Sequence, residues 1–112
     1  MGLYTFPKEE RIRKRSDFLR IFKAGAKRKT HHFRVSLCPN ELGYRRLGVT
    51  VGKVVGSAVK RNRVKRLLRE FFRSHKENLP PSSDSVIVAQ KGAAELNFQQ
   101  VCEEMQDLFQ EI

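Results

Sequence analysis

Residues 56–73, GSAVKRNRVKRLLREFFR, constrain this chain more than any other stretch. Seven Lys/Arg and two Phe fall within these eighteen residues, at spacings that only a helix sorts into separate faces. Val64, Leu67, Leu68, Phe71 and Phe72 follow i, i+3, i+4, i+7, i+8, the stripe of a helix lying on a core. Asn62, Lys65, Arg66, Arg69 and Arg73 follow i, i+3, i+4, i+7, i+11 and lie on the opposite side. Ser57 is placed to cap the N-terminus, where its hydroxyl accepts a bond from an orphan backbone N–H.

The cations are badly placed for a helix serving only itself. Lys60, Arg61, Asn62 and Arg63 fall in the first turns, where positive charge opposes the helix dipole. Within the run Glu70 alone offers an acidic partner, so like charges stand unrelieved at i, i+4. A solvated charged face is the ordinary reading of such a run. The unrelieved charge favours a polyanion partner instead, and RNA or DNA phosphate leads that class.

The charge is also unevenly spread. Residues 1–76 hold 22 of the 23 Lys/Arg and 5 of the 12 Asp/Glu, a net of +17. Residues 77–112 hold one Lys and seven acids, a net of −6. This predicts one cationic binding side and a separate solvated side, not a uniformly basic disordered tail. The 112 residues form one domain, 1–112, opening on a basic, irregular segment over 1–15. No apolar run approaches eighteen residues, and the N-terminus lacks the apolar core of a secretory signal. Glu9, Glu10 and Asp17 argue against a mitochondrial transit peptide. Cys38 and Cys102 read as buried free thiols of a reducing compartment, and the expected location is cytoplasmic.

Along the chain, Ser16 or Asp17 is placed to cap a short helix that runs to about Ala24 and stops at Gly25. Residues 26–30 read as a basic loop. Residues 32–38 alternate, with Phe33, Val35 and Leu37 on one face and His32, Arg34, Ser36 and Cys38 on the other. Residues 46–52 alternate again, with Leu47, Val49 and Val51 on one face. Gly48, Thr50 and Gly52 keep the other face low, where another molecule could approach. The PNELGY turn between these strands predicts an antiparallel hairpin. VIVA at 86–89 is a short apolar strand. Asn97 caps a last helix whose stripe is Phe98, Val101, Cys102, Met105, Leu108, Phe109 and Ile112. Glu103, Glu104, Asp107 and Glu111 lie outside that stripe. A small sheet carrying helices makes this an α+β sandwich.

No catalytic constellation is present: no GxSxG, Walker loop or HExxH. His31, His32 and His75 have no metal-ligand spacing with the cysteines. No residue is therefore assigned a catalytic or metal-binding role, and no small-molecule substrate or membrane is expected. Any chemistry would lie in the partner. Glu70 reads as an ion-pair partner of the surrounding arginines. Phe18 and Phe22 stand on a helix among Arg13, Lys14, Arg15, Arg20 and Lys23, and Phe33 lies on the strand that follows. Unpaired bases stack on exposed aromatic rings while cations hold the backbone. The same spacing also fits core packing, so the residues alone leave both readings open.

The ordered set of motifs resembles a known family, the protein component of bacterial ribonuclease P. VKRNRVKRLLRE, Val59 to Glu70, looks like that family's signature helix, with Arg61-Asn62-Arg63 as its central triplet. LGVTVGKVVGSA leads into it, and RSDFLRIFKAG resembles the family's first helix, with Asp17, Phe18, Phe22 and Gly25 in register. IVAQKGA and the closing amphipathic helix also fit. The resemblance implies the order αβββαβα, a four-stranded sheet and a left-handed crossover, unusual against the right-handed rule. The fourth strand would come from residues 32–55.

The resemblance also implies a mechanism. The family's catalytic RNA subunit holds Mg²⁺ and hydrolyses the phosphodiester at the 5′ end of mature tRNA, while the protein assists in binding precursor tRNA. Carried over, Lys53, Lys60, Arg61, Asn62, Arg63, Lys65, Arg66 and Arg69 would dock on the RNA subunit. Phe18, Phe22 and Phe33 would wall a cleft for the single-stranded 5′ leader. The chain departs from the pattern at Ser36, where members can carry Tyr, and at Val54, where they can carry a second Lys. A non-enzymatic RNA-binding or ribosomal protein remains the alternative. A DNA-binding helix-turn-helix is disfavoured because the segments flanking the basic helix look like strands.

Overall fold

The computed structural model describes residues 7–110. In chain order the elements are α1 (Arg15–Ala24), β1 (Ala26–Lys29), β2 (Phe33–Pro39), β3 (Arg46–Val51), α2 (Ala58–His75), β4 (Ser83–Ala89) and α3 (Phe98–Gln110). This is the order αβββαβα. The four strands form one mixed sheet in the order β1-β2-β4-β3.

The strand order overturns the hairpin expectation. β2 and β3 are not neighbours: β4 lies between them, antiparallel to β2 and parallel to β3. The apolar run in β4 gives the physical reason. Val86 and Ile87 are both buried although they point to opposite faces, which suits a central strand covered on both sides. The parallel pair β3/β4 then needs a long crossover, and α2 supplies it. The fourth strand also differs from expectation. It is β1, within residues 26–30 read as a loop, and it pairs antiparallel with β2 from Ala26↔Leu37 to Lys29↔Arg34. An edge strand of sequence AKRK has almost no side chain to bury, so no alternation marks it. Its ladder bonds to β2 make it a strand, and its cations keep the edge from pairing with another chain.

The pleat divides the core in two. Phe33, Val35, Leu47, Val51, Ile87 and Ala89 face α2 and α3 and pack with Val64, Leu68, Phe71, Phe72, Val101, Met105 and Leu108. On the other face Cys38 and Val86 pack with Ile12 and Ile21, with Phe18, Phe22 and Val88 partly buried against them. The α2 stripe is thus as the periodicity predicts, with Leu67 half-buried at its margin. Ser57 caps α2, its side chain accepting from the Lys60 N–H. Asn97 accepts from the Gln100 N–H at 2.8 Å while Gln100 accepts from the Asn97 N–H at 2.9 Å, a reciprocal cap that starts α3. The stripe of α3 faces the core as expected up to Phe109, with Val101, Met105 and Leu108 buried and Phe98, Cys102 and Phe109 half-buried beside them. Glu111 and Ile112 lie outside the described residues, as do residues 1–6 of the N-terminal segment.

The start of α1 differs from the sequence reading. Its N-cap is Lys14, with no side-chain cap bond, because the Asp17 carboxylate turns aside to Arg46 at 3.6 Å and Arg20 at 3.8 Å. Gly25 does end α1, in extended rather than left-handed backbone. Glycine is needed there for close approach: a Cβ would lie 2.6 Å from the Ile21 carbonyl oxygen and 2.9 Å from that of Leu37. The segment before α1 is irregular but fastened. A 3₁₀ turn spans Lys8–Glu10, Glu10 accepts from Lys76 Nζ at 2.9 Å, and the Ile12 N–H donates to the Leu47 carbonyl at 2.9 Å.

The buried carboxylate of Asp84, 0% exposed, holds α1, β3 and the turn after β2 together. It accepts from Arg20 at 2.7 Å, from Arg46 at 2.8 and 2.7 Å, and from Asn40 at 2.8 Å. Burial alone would push its pKa up. The bonds from Arg46, Asn40 and Arg20 outweigh burial and hold the carboxyl below its ordinary range. A second tie joins the β1–β2 turn to α3. Glu104 accepts from the Thr30 hydroxyl and from the His32 N–H at 2.7 Å, and its other oxygen lies 2.9 Å from His32 Nδ1. Burial opposes its ionisation, but these bonds prevail and the Glu104 pKa falls.

Candidate nucleic-acid interface

The apolar stripe sets which way α2 faces. With Val64, Leu68, Phe71 and Phe72 in the core, Asn62, Arg66 and Arg69 are exposed and Lys65 is half-exposed beside them. Lys60 is exposed at the N-terminal turn, and Lys53 is exposed on the 3₁₀ turn Lys53–Val55 just before the helix. Gly56 joins that turn to α2 with φ +139°, a backbone that L side chains rarely adopt. Lys60 packs so closely over it that a Cβ would lie 2.8 Å from the lysine Cδ.

The structure separates the residues of the central triplet. Asn62 is exposed. Arg61 is half-buried, and its Nε is buried without a hydrogen-bond partner among the described residues. Arg63 turns toward the segment before α3 and donates to the carbonyl oxygens of Leu96 at 2.7 Å and Ala94 at 3.4 Å. Glu70 is the ion-pair partner it was read to be: Arg73 Nε donates to it at 3.0 Å. That hydrogen bond lowers the Glu70 pKa and raises that of Arg73.

On the far side of the sheet a groove of about 440 Å³ runs between α1 and the strands, lined by Phe22, Lys27, Arg28, Lys29, Arg34, Ser36, Thr50 and Val88 among others. It continues into a shallower recess under Phe18, Leu19, Arg13 and Arg15. Phe18 and Phe22 are half-buried with ring centroids 6.3 Å apart, tilted by 42°. Each leaves part of its ring for a ligand. Phe33 does not belong with them. It is 0% exposed and packs in the core on the opposite face of the sheet. Alternation along β2 is the reason: if Phe33 and Val35 face α2, the groove receives Arg34 and Ser36.

Gly48 is low for a reason internal to the chain. The Phe18 ring lies over it, and a Cβ there would stand 2.8 Å from two ring carbons. Thr50, read from the sequence as part of a face open to another molecule, does line the groove, whereas Lys27, Arg28, Lys29 and Arg34 were passed over as groove residues. The β2 alternation could have found Arg34, whereas nothing local marks β1. Sequence reasoning also passed over Arg11, which with Arg13 and Arg69 lines a third recess of about 230 Å³ above Leu47 and Val49. Arg13 lines both this recess and the one under Phe18, so cationic surface runs from α2 to the groove. Among the described residues no group of three or more His, Cys, Asp or Glu could hold a metal. Cys38 and Cys102 are free, the first buried and the second half-buried, and burial raises the Cys102 pKa. No helix of the described residues is long and apolar enough to cross a membrane.

The sequence pattern of the family described as Ribonuclease P matches residues 6–112, nearly the whole chain. The chain belongs to the ribonuclease P protein family. It is 46% identical over 105 residues to the ribonuclease P protein component of Syntrophus aciditrophicus, covering 94% of this chain and 88% of that one. It is 41% identical over 112 residues to the protein component of Desulforapulum autotrophicum, covering 100% and 96%. Among solved structures, the ribonuclease P protein from Thermotoga maritima superposes with a TM-score of 0.83 at 37% identity, over 92% of this chain and 97% of that one. That from Staphylococcus aureus gives 0.83 at 34%, over 91% and 94%. The α+β fold is therefore that of ribonuclease P proteins. Membership makes this chain an RNA-binding subunit of an endoribonuclease, and its cationic surfaces answer to an RNA partner.

Proposed function

We propose that this protein docks on the catalytic RNA of ribonuclease P through the exposed face of α2 and holds the single-stranded 5′ leader of precursor tRNA in the groove between α1 and the sheet. The observation that carries this reading is the groove. It places the half-buried Phe22 ring beside Lys27, Arg28, Lys29 and Arg34, on the sheet face away from the main core, and continues to the half-buried Phe18 ring beside Arg13 and Arg15. Half-exposed rings accept a base by stacking whatever its identity, and the cations track the backbone. A leader of variable sequence calls for that combination.

On α2, Lys53, Lys60, Asn62, Lys65, Arg66 and Arg69 are the docking residues. They supply affinity and position through phosphate and carry little sequence information. Two RNA-binding surfaces on one small domain raise the effective concentration of precursor at the catalytic RNA. Ser36 opens the groove floor where an aromatic ring could have stacked, so Phe18 and Phe22 carry the stacking here. Mg²⁺, when bound, belongs mainly to the RNA subunit and supplies the Lewis acid and the activated water of phosphodiester hydrolysis. The protein's own part is to bind and orient. This work belongs in the cytoplasm.

The test is cleavage of precursor tRNA by a bacterial ribonuclease P RNA at low Mg²⁺, with and without the protein. Stimulation is expected. An RNA-binding or ribosomal protein without this role would bind RNA yet leave the cleavage rate unchanged, and that result would sink the proposal.

A further inference from the structure

Arg63 stands at the centre of the basic helix, and by residue type it belongs with the phosphate-binding cations. Its geometry says otherwise. Successive helical residues step by about 100° around the axis, so Arg61, Asn62 and Arg63 fan across about 200° and cannot share one face. Asn62 sits over the exposed side with Arg66 and Arg69. Arg61 and Arg63 flank it. Arg61 leans back so far that its Nε is buried. Arg63 leans the other way, toward the segment that leads into α3.

That segment offers two acceptors. Ala93–Glu95 forms a 3₁₀ turn after Gly92, whose φ is +93°, and Leu96 is extended before the Asn97 cap. The Arg63 Nη2 donates to the Leu96 carbonyl at 2.7 Å and Nε reaches that of Ala94 at 3.4 Å. A guanidinium is planar with donors in a fixed fork, so engaging the Nε–Nη2 edge orients the whole group. It also occupies one of the two edges that could have gripped a phosphate in bidentate fashion. The carbonyls held are anchored in turn, since Leu96 is buried in the main core and Ala94 is partly buried against it.

We infer that Arg63 is a positioning residue: it clasps α2 to the turn before α3, sets the rotation at which Asn62, Arg66 and Arg69 meet RNA, and contributes no phosphate contact of its own. This rests on the reading of α2 as the face that docks on the RNA subunit. The clasp lies near the N-terminal end of α2. There no side chain of α2 before Val64 is buried, Val59 being 77% exposed. At the other end Phe71 and Phe72 already pin the helix.

The experiment measures binding of the full-length protein to a full-length bacterial ribonuclease P RNA over a series of KCl concentrations, well below the melting temperature of every variant used. Arg63→Ala, Arg63→Lys and Arg66→Ala are compared with the parent, and thermal melts are run alongside. For Arg66→Ala the slope of log affinity against log salt should fall by roughly 0.7–0.9, the loss of one phosphate contact. For Arg63→Lys affinity should fall by about tenfold while the slope stays at the parent value, because lysine keeps the charge but cannot span both carbonyls. Arg63→Ala should show the same unchanged slope with a lower melting temperature. If Arg63→Ala is unfolded, Arg63→Lys alone decides. A slope that falls with Arg63→Ala as it does with Arg66→Ala would make Arg63 a phosphate contact and overturn the inference. So would parental affinity in folded Arg63→Lys, which would mean either a plain charge contact or a clasp without influence on docking. If Arg66→Ala leaves the slope unchanged, the docking reading itself fails, which is a separate result.

Discussion

At the residue scale, single atoms decide what the groove can do. Gly48 matters through the Phe18 ring that lies on it. Gly48→Ala inserts a methyl where ring carbons already stand 2.8 Å away, so the ring must move. We expect a stability loss of about 1–3 kcal/mol, typical of overpacking. We also expect weaker binding of precursor tRNA, with binding of mature tRNA spared; a thermal melt and paired binding titrations check both. Asp84 is the corresponding residue for the sheet. Asp84→Asn leaves two guanidinium groups without their buried counter-charge and should cost about 3–5 kcal/mol. The folded-state pKa of Asp84 is depressed. Its contribution is therefore full above the unfolded value of about 3.9 and is lost as pH falls through the lower folded value. Urea unfolding between neutral pH and pH 3 should show stability declining below about pH 4. In Asp84→Asn that decline should be shallower, with the depressed Glu104 carboxyl supplying part of what remains.

At the element scale, α2 and β1 show opposite relations between pattern and place. The two faces of α2 are written in its own periodicity, and its core stripe, N-cap and Glu70–Arg73 pair all follow from residues within two turns of one another. β1 has no such internal signal. Lys27, Arg28 and Lys29 become a groove wall only because β2 supplies hydrogen-bond partners. This makes a separable prediction. Lys27→Ala with Lys29→Ala should weaken binding of leader-bearing precursor and flatten its salt dependence by roughly 0.7 per phosphate lost, the single-strand value. Affinity for the catalytic RNA should stay near the parent value. Titration of the two RNAs with one variant checks this, and equal losses for both would argue against distinct surfaces.

At the scale of the whole molecule, the charge asymmetry becomes an arrangement of faces. The acids of α3 lie on a helix whose other side closes the main core, while cations line α2, the N-terminal segment and the groove. Helices, their faces, their caps at Ser57 and Asn97 and the family itself were legible in the chain, because each depends on neighbours a few residues apart or on an ordered set of short motifs. The partner of each strand was not. A strand's alternation says which residues share a face, but not which strand lies beside it or what covers that face. So β4 came between β2 and β3, the loop at 26–30 became an edge strand, and Phe33 passed from groove wall to core while Ser36 and Arg34 took the groove. The same limit applies to charge. Sequence marked Arg63 as one cation among seven in its run, and only contact with carbonyls more than thirty residues away distinguished it. Local spacing thus determined the helices, three of the four strands and a polyanion as the kind of partner, which the ordered set of family motifs narrowed to RNA. Long-range pairing, which no local pattern encodes, decided which residues are left to meet it.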